Sequence, residues 1–363
     1  MLQLRNHIPI GGPARREAPD GNESPMRVSL GFEPQWYHHR CGVDFSARWH
    51  HDPEYRYTTR RRMKAELERC FPETNYWSGL TDADLASLSG CFGIGVIPMT
   101  LGIPLLYHAD RWPELEPGHG LSESTVKGLD AEELLGGRFV EEMFAQMDQI
   151  EAGWGAIHGY LNWQGVLNNA FHARGQQIFL DLADAPELGE RLFEILTQVM
   201  IGLAQAVQRR QRRSGFHIDE LCVSNCTMSM VSPGMYRRFL LPCDRRIAES
   251  FERFGVHTCN WDVTPYLAEL RQLPNVGYLD MGLASDLAAA KEQFPEARRA
   301  VLYSPRRVVE QSLEQIRLDM ERVRRELAPC DVVLADLPLG VPDERVNDVL
   351  RICRELEQSE VQR

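Results

Sequence analysis

The tripeptide His257-Thr258-Cys259 places an imidazole and a thiol two residues apart, directly after the apolar run 254–256. Residues i and i+2 of a β-strand point to the same side of the strand. On a strand, these two side chains would reach one point, and an imidazole nitrogen with a thiolate sulfur suits a thiophilic ion such as zinc. The pair is equally compatible with a packed cysteine beside an ordinary histidine, because free cysteine is among the most buried residues. The elements around the pair must therefore decide between these interpretations.

Eight short runs rich in β-branched, aromatic or aliphatic residues alternate with longer segments of helical period. The clearest helix is predicted over residues 186–208, where the apolar side chains form one stripe and Pro186 suits the first turn. This alternation predicts a (β/α)8 TIM barrel, a single α/β domain over residues 26–363. No Gly-x-Gly-x-x-Gly turn follows the first strand, which argues against a doubly wound dinucleotide-binding fold. The predicted strands are residues 28–32, 94–99, 156–161, 221–226, 255–259, 276–281, 300–303 and 332–337.

The predicted barrel gives the His-x-Cys pair a position, because active sites of this fold lie at the carboxyl ends of the strands. His257 and Cys259 end the fifth strand, Asp280 ends the sixth and Asp336 lies near the end of the eighth. We predict that these four residues bind zinc and that His257, Cys259 and Asp336 are catalytic. Cys226, at the end of the fourth strand, is an alternative source of a second sulfur. Each carboxylate also has a structural interpretation, as the cap of a turn or the partner of an arginine.

The same reasoning predicts which side chains line the substrate pocket at the mouth of the barrel. The candidates are polar or aromatic residues at the ends of strands three, four and seven, a usual composition for a pocket. They are Asn162, Trp163, Asn225, Cys226 and Tyr303.

Composition excludes several other classes of protein. The 363 residues carry 40 lysines and arginines against 52 aspartates and glutamates, a net charge of −12, which makes nucleic acid an unexpected partner. Nine cysteines without regular spacing do not resemble a secreted disulfide framework, so a reducing cytoplasm is predicted. No apolar run approaches the roughly 20 residues that span a bilayer, so we expect no membrane interaction. Residues 1–25 lack periodicity and are predicted to form a flexible arm.

The order of several motifs resembles the uroporphyrinogen decarboxylase superfamily, whose (β/α)8 barrels include methyltransferases that work with corrinoid proteins. The resemblance extends over most of the chain, and no single motif carries it alone. The motifs are residues 159–165, 171–175, 181–188, 231–233 and 239–242, then His257-Thr258-Cys259, and finally 340–342.

Within that superfamily, the chain looks closer to the cobalamin-dependent methyltransferases than to the decarboxylases. The arginine- and glycine-rich motif of the decarboxylases is missing after the first strand, where residues 33–40 read EPQWYHHR. The resemblance implies a zinc on His257 and Cys259, with Asp280 matching a later acidic residue. Where the family has its later cysteine, this chain has Asp336. A carboxylate there would make the ion a harder Lewis acid, able to polarise an ether or hydroxyl oxygen as readily as a thiol.

The function that the resemblance implies is methyl transfer between a corrinoid, either methylcobalamin or a corrinoid protein, and a small O-, S- or N-methyl compound. Two alternatives remain open from the sequence. One is a metal-free carboxy-lyase that would use Asp336, Asp280 and Arg174 on a carboxylated substrate. The other is a non-catalytic barrel that binds a tetrapyrrole or corrinoid. The direction of transfer is not readable from the residues, and a homodimer is left open.

Overall fold

The computed structural model describes residues 4–6, 26–72, 80–218 and 220–358. Within these residues, eight parallel strands form one sheet in the order β1, β2, β10, β9, β8, β7, β6, β5, and a separate antiparallel pair joins β3 to β4. The strands are β1 (Leu4–Asn6), β2 (Met26–Phe32), β3 (Leu105–Leu106), β4 (Glu114–Leu115), β5 (Trp163–Gln164), β6 (Glu220–Ser224), β7 (Arg253–His257), β8 (Val276–Gly282), β9 (Arg298–Leu302) and β10 (Cys330–Leu337).

Helices follow most strands of the large sheet, which is the alternation predicted from the sequence. They are α1 (Pro34–Cys41), α2 (Ala47–His51), α3 (Pro53–Cys70), α4 (Asp82–Ala86), α5 (Val96–Thr100), α6 (Glu123–Gly128), α7 (Ala131–Leu135), α8 (Arg138–Trp154), α9 (Val166–Arg174), α10 (Gln177–Asp184), α11 (Pro186–Arg213), α12 (Pro233–Met235), α13 (Leu241–Glu249), α14 (Leu267–Leu270), α15 (Leu287–Gln293), α16 (Pro305–Glu310), α17 (Leu313–Leu327) and α18 (Asp343–Gln358).

The long helix α11 confirms the predicted stripe, because Leu192, Leu196, Val199 and Leu203 are all buried. Its first residue is Pro186, whose fixed φ and missing N–H suit the first turn of a helix. A large apolar cluster joins the helices to the sheet, and a smaller separate cluster of strand residues consists of Cys222, Tyr278, Ala300, Val333 and Ala335. No helix within the described ranges has the length and apolar character needed to cross a membrane.

The sheet is not closed into the eight-stranded barrel that the sequence predicts, because β1 and β5 form its two edges. The second predicted strand, residues 94–99, is helical: a 3-10 turn over Gly93–Gly95 leads into α5. Pro98 lacks the N–H that a central strand must donate, and Gly95 packs against Leu105 too closely for a side chain. Phe92 enters this segment with a φ of 63°, which turns the chain out of an extended path.

The third predicted strand also differs from the structure. Residues 156–161 contain no regular strand, and the paired residues are Trp163–Gln164 instead. Gly159, with a φ of 109°, interrupts the extended conformation. The segment contacts the loop after α4, since the Leu88 N–H donates to the His158 carbonyl at 3.1 Å.

At the amino terminus, β1 pairs in parallel with β2 on the edge away from β10. Apart from this short strand, the predicted arm over residues 1–25 lies outside the described residues.

Candidate metal centre

Three neighbouring strands, β6, β7 and β8, end at the same edge of the sheet, with Cys226 and Cys259 just past β6 and β7, while the predicted ligand Asp336 lies on β10. Ser224 at the end of β6 pairs with His257 at the end of β7. The Asn225 N–H then donates to the His257 carbonyl at 2.7 Å, which extends this ladder by one residue. Asp280 lies on β8, which pairs with the other side of β7. Parallel pairing therefore brings together side chains from three distant parts of the sequence.

Cys226, His257 and Cys259 form a compact group in which the three potential ligand atoms all lie within 4.8 Å of one another. The sulfur of Cys226 is 2.8 Å from the sulfur of Cys259, which is 3.2 Å from Nε2 of His257. The sequence left open whether Cys226 or Asp336 supplies the further ligand, and the structure places Cys226 beside the pair. Both cysteines lie just past their strands, and Cys259 has a φ of 61° that folds the chain back toward the strand end.

A buried carboxylate fixes the orientation of His257. Nδ1 of His257 lies 2.6 Å from Oδ2 of Asp280, so the Nε2 atom is left facing the sulfurs. Asp280 also accepts hydrogen bonds from the Thr258 N–H at 2.7 Å and from the Tyr278 hydroxyl at 2.9 Å. A carboxylate behind a histidine selects the tautomer and raises the basicity of the free nitrogen. Asp280 thus lies behind the imidazole, on the side away from the sulfurs.

Electrostatics within the group favour a protonated imidazole and one thiolate when no ion is bound. Burial disfavours the charged imidazole, but Asp280 and the two sulfurs outweigh it and raise the pKa of His257 well above its ordinary value. The hydrogen bond from Cys259 lowers the pKa of Cys226 well below that of a free thiol. The same bond raises the pKa of Cys259, which keeps the shared proton. The group therefore holds two protons, one on the imidazole and one on the Cys259 thiol, that a cation of suitable affinity would displace.

A chain of buried amides holds the turn that carries Cys226. Oδ1 of Asn168 on α9 accepts hydrogen bonds from the Thr227 N–H at 3.0 Å and from its hydroxyl at 2.5 Å. The Asn168 amide donates to Oε1 of Gln164 at 2.7 Å, and the Gln164 amide donates to Oδ1 of Asn162 at 2.8 Å. Asn162, predicted to contact substrate, therefore belongs to the network that positions the residue after Cys226.

The residue before Cys226 is held from the opposite side. The Asn225 amide donates to Oδ2 of Asp244 at 2.9 Å, and the Tyr236 hydroxyl donates to the same oxygen at 2.7 Å. Tyr236 begins a π-helical turn over Tyr236–Leu240, an irregularity that is frequent at functional sites. Burial raises the pKa of Asp244 to about 6, although both hydrogen bonds act in the opposite direction. Both neighbours of Cys226 are thus anchored in the protein interior.

Asp336 lies on β10, close enough to the metal-binding group for its charge to interact with His257 and Cys226. Its φ of 56° is a left-handed conformation that coincides with an irregular register in β10. The side chain reaches solvent. Even so, desolvation by the surrounding protein and the charge of Glu33 raise its pKa to about 7, while His257 opposes the shift. The structure gives Asp336 no contact with the sulfurs, so its predicted roles as ligand and catalytic residue stay predictions.

Two other residues predicted to bind substrate lie elsewhere. The Trp163 ring is buried and lines a small internal cavity with Val207 and Glu220, near the amino end of β6. Tyr303 is buried as well, and its hydroxyl donates to Oδ2 of Asp319 on α17 at 2.7 Å. The contacts given for both side chains are with other parts of the protein, and their role in substrate binding stays a prediction.

The sequence reasoning missed the residues that support the ligands. Asn168, Asp244 and Tyr278 are all buried beside the group or its anchoring turns. A signal for two of them was present, because Asn168 interrupts the apolar start of α9 and Asp244 follows the apolar segment 239–243. A polar residue on the core-facing side of a helix requires a partner. Its partner, however, comes from a distant segment and cannot be read from local sequence.

Comparisons with known proteins bear on the fold. No protein-family model matches the chain, and no curated protein matches it significantly in sequence. Its structure is similar to that of a methyltransferase from Methanosarcina mazei, with a TM-score of 0.66 over 92% of this chain and 94% of that one, at 15% sequence identity. A candidate vitamin-B12-independent methionine synthase from Listeria monocytogenes reaches a TM-score of only 0.38 over 61% of this chain and 69% of its own, at 14% identity. The chain therefore shares the mixed α/β fold of the Methanosarcina methyltransferase, and the weaker likeness supports no argument.

Proposed function

We propose that this protein is a zinc-dependent methyltransferase whose ion is held by Cys226, His257 and Cys259. The observation that carries the proposal is the convergence of two sulfurs and an imidazole nitrogen within 4.8 Å at the carboxyl ends of parallel strands. Active sites lie at this edge in parallel α/β folds. The shared fold with a methyltransferase supports the reaction class. From the sequence motifs we further propose a uroporphyrinogen decarboxylase-like barrel over residues 26–363, and from the cysteine usage a cytoplasmic location.

The donor set fits zinc in both chemistry and spacing. Tetrahedral zinc with bonds of about 2.0 to 2.3 Å separates its ligand atoms by about 3.5 to 3.8 Å. The observed separations of 2.8 and 3.2 Å need only small side-chain rotations to reach those values. Asp280 behind His257 completes the carboxylate–histidine arrangement that is usual at zinc sites. Three protein ligands leave a fourth position for a substrate atom, as in catalytic zinc sites.

The residues then have separate tasks. A bound zinc ion would supply the Lewis acidity that lowers the pKa of a coordinated thiol, alcohol or water. Asp280 orients the imidazole, and the anchors of Asn225 and Thr227 hold the turn that carries Cys226. We propose that Asp336, whose pKa desolvation and Glu33 raise to about 7, accepts or returns a proton during the reaction.

Two thiolates and one imidazole favour a thiol among the substrate classes that the sequence left open. Sulfur donors make the site softer than a site in which Asp336 replaces a thiolate, so it suits binding a substrate sulfur. We therefore propose that the methyl group moves between a corrinoid, methylcobalamin or a corrinoid protein, and a small S-methyl compound or its thiol. O- and N-methyl compounds are the second choice.

One of the residues that a carboxy-lyase would need for its substrate is already engaged within the protein. The Arg174 guanidinium donates to both oxygens of Asp181 at 2.9 Å and to the Leu121 carbonyl, so it is already engaged within the protein. The lyase required that arginine to grip a substrate carboxylate. This observation favours the methyltransferase.

Metal analysis of purified protein, paired with a methylcobalamin assay, tests the proposal. We expect about one zinc per chain, as for a catalytic site with three protein ligands, and loss of the zinc in Cys226→Ser, His257→Ala and Cys259→Ser. Cobalamin absorbance would follow demethylation in the presence of small thiols. Cys41→Ser, a half-buried cysteine on α1, is the matched control and should retain both properties.

Asp336→Asn separates the two candidate ligand sets. Retention of zinc in this variant would support Cys226 as the third ligand, whereas loss of zinc would support Asp336. Carefully prepared wild-type protein without any metal would contradict the proposal. Tight cobalamin binding without turnover would instead favour a non-catalytic corrinoid-binding protein.

A further inference from the structure

We propose that Cys226 and Cys259 form a reversible disulfide under oxidation, so that the two sulfurs exist either as metal ligands or as an S–S bond. The inference that oxidation expels the ion rests on the proposed function. Disulfide formation itself does not, because it depends only on where the two thiols lie.

The separation of the sulfurs supports this inference. The two Sγ atoms are 2.8 Å apart. This value lies between the S–S bond of about 2.05 Å and the separation of about 3.8 Å expected for two thiolates on one tetrahedral zinc. Rotation about the side-chain bonds can therefore lead to either state without moving the strands.

The backbone around the pair is suited to both states. Ser224 and His257, each two residues before one of the cysteines, are directly paired across β6 and β7. Neighbouring strands lie about 4.8 Å apart, within the range of Cα separations that a disulfide bridges. Cys226 and Cys259 themselves lie in turns beyond the strands, so a bond between them leaves the ladder intact.

Solvent can reach this pair, which an oxidant requires. Both cysteines are only partly buried, whereas Cys70, Cys91 and Cys353 are buried. The Cys243 thiol, also buried, donates to the carbonyl of Phe239 in the π-helical turn before α13. Cys41 on α1 is also partly buried. It therefore serves as the control for a partly accessible thiol outside the pair.

The reaction balances with a peroxide as the oxidant. One thiolate attacks an oxygen of hydrogen peroxide, the O–O bond breaks, and a sulfenic acid and hydroxide form. The second thiol then displaces water from the sulfenic acid sulfur and forms the S–S bond. In total, two thiols and one hydrogen peroxide give one disulfide and two waters, and the two sulfurs supply both electrons. A dithiol such as dithiothreitol reverses the bond by exchange.

The direct test uses full-length, metal-free protein treated with hydrogen peroxide and alkylated before proteolysis. We expect a peptide pair linked through Cys226 and Cys259, with the loss of two free thiols per chain and their return after dithiothreitol. Cys41→Ser should give the same linked pair. Cys226→Ser should not give it, and its Cys259 should instead carry a sulfenic or higher oxide.

The second part of the test repeats the oxidation with zinc-loaded protein. Bound zinc should slow disulfide formation, and the oxidised protein should fail to bind zinc until it is reduced. The absence of the linked pair in oxidised metal-free protein, or a pairing of Cys226 with another cysteine, would overturn the inference whether or not zinc binds. A wild-type protein that forms the linked pair but never binds zinc would contradict only the proposed function.

Discussion

The two ends of the central strands differ in how their charged and polar groups are used. At the amino ends, Asp331 on β10 lies between Arg27 on β2 and Arg298 on β9, with N–O distances of 2.9 and 2.8 Å and all three side chains largely buried. At the carboxyl ends, Cys226, His257 and Cys259 direct their donor atoms at one another. At the amino ends, these buried charges are paired with each other. At the carboxyl ends, three donor atoms surround a common point.

The amino ends of the strands therefore contribute mainly to stability, and the carboxyl ends mainly to metal binding. Breaking a buried ion pair strands a charge away from water and is strongly destabilising. Replacing a sulfur that awaits a cation breaks no buried ion pair, whereas the loss of His257 also removes the buried partner of Asp280 and costs some stability. Substitutions at the amino ends should therefore lower stability, and those at the carboxyl ends should lower metal binding. Four predictions test that division, beginning with the largest effect.

Removal of the metal should have an effect comparable to the largest of the substitutions below, and only in proteins with an intact carboxyl-end group. A ligand at about a thousandfold excess over its dissociation constant stabilises the folded state by about 4 kcal/mol. We expect chelation to lower the melting temperature of the wild type and to leave that of His257→Ala unchanged. Differential scanning calorimetry with and without added zinc measures both. An equal response of the two proteins would place the metal elsewhere.

The substitution Asp331→Ala should lower the free energy of unfolding by about 3 to 5 kcal/mol, because it leaves two arginines without their buried partner. Zinc content in the surviving folded protein should stay unchanged. Glu68→Gln, which removes a solvent-accessible pair with Lys64, should cost less than about 1 kcal/mol. Urea denaturation of the three proteins checks this prediction. Loss of zinc in Asp331→Ala would break the proposed division between the two ends.

The substitution Asp280→Asn should weaken zinc binding by about 10- to 100-fold, the usual effect of losing the carboxylate behind a metal-bound histidine. Competition with a chromophoric chelator measures the affinity. The exposed Asp262→Asn is the control and should bind zinc as the wild type does. An unchanged affinity in Asp280→Asn would mean that His257 needs no such orientation or binds no metal.

The smallest effect concerns Asp244, whose pKa is raised from 3.8 to about 6 by burial. Between about pH 4 and 6 the folded state keeps this proton while the unfolded state loses it. The stabilising contribution of the carboxyl group is therefore complete at low pH and disappears as the pH rises through this window. Relative to Asp244→Asn, the wild type should lose at most about 1.4 kcal/mol per pH unit there. Parallel pH slopes in the two proteins would contradict the assignment.

Local sequence was informative where the signal is periodic. The stripe of α11 and the strands around residues 221–226, 255–259, 276–281 and 332–337 follow from patterns of apolar side chains, and the structure places strands there within a few residues. The same reasoning failed for residues 94–99, where an apolar composition masked Gly95 and Pro98. An apolar run predicts burial more surely than it predicts a strand.

The sequence by itself predicted that His257 and Cys259 lie together at one strand end, but β7 ends at His257, and the left-handed turn at Cys259 rather than strand alternation brings its sulfur to the imidazole. It did not choose between Cys226 and Asp336 as a neighbour of the pair. The tertiary structure decided, because the pairing of β6 with β7 brings Cys226 within 2.8 Å of Cys259 across 33 residues of sequence. Strand pairing and the left-handed turns at Cys259 and Asp336 determine where these side chains point. Neither feature produces a periodic pattern in the sequence.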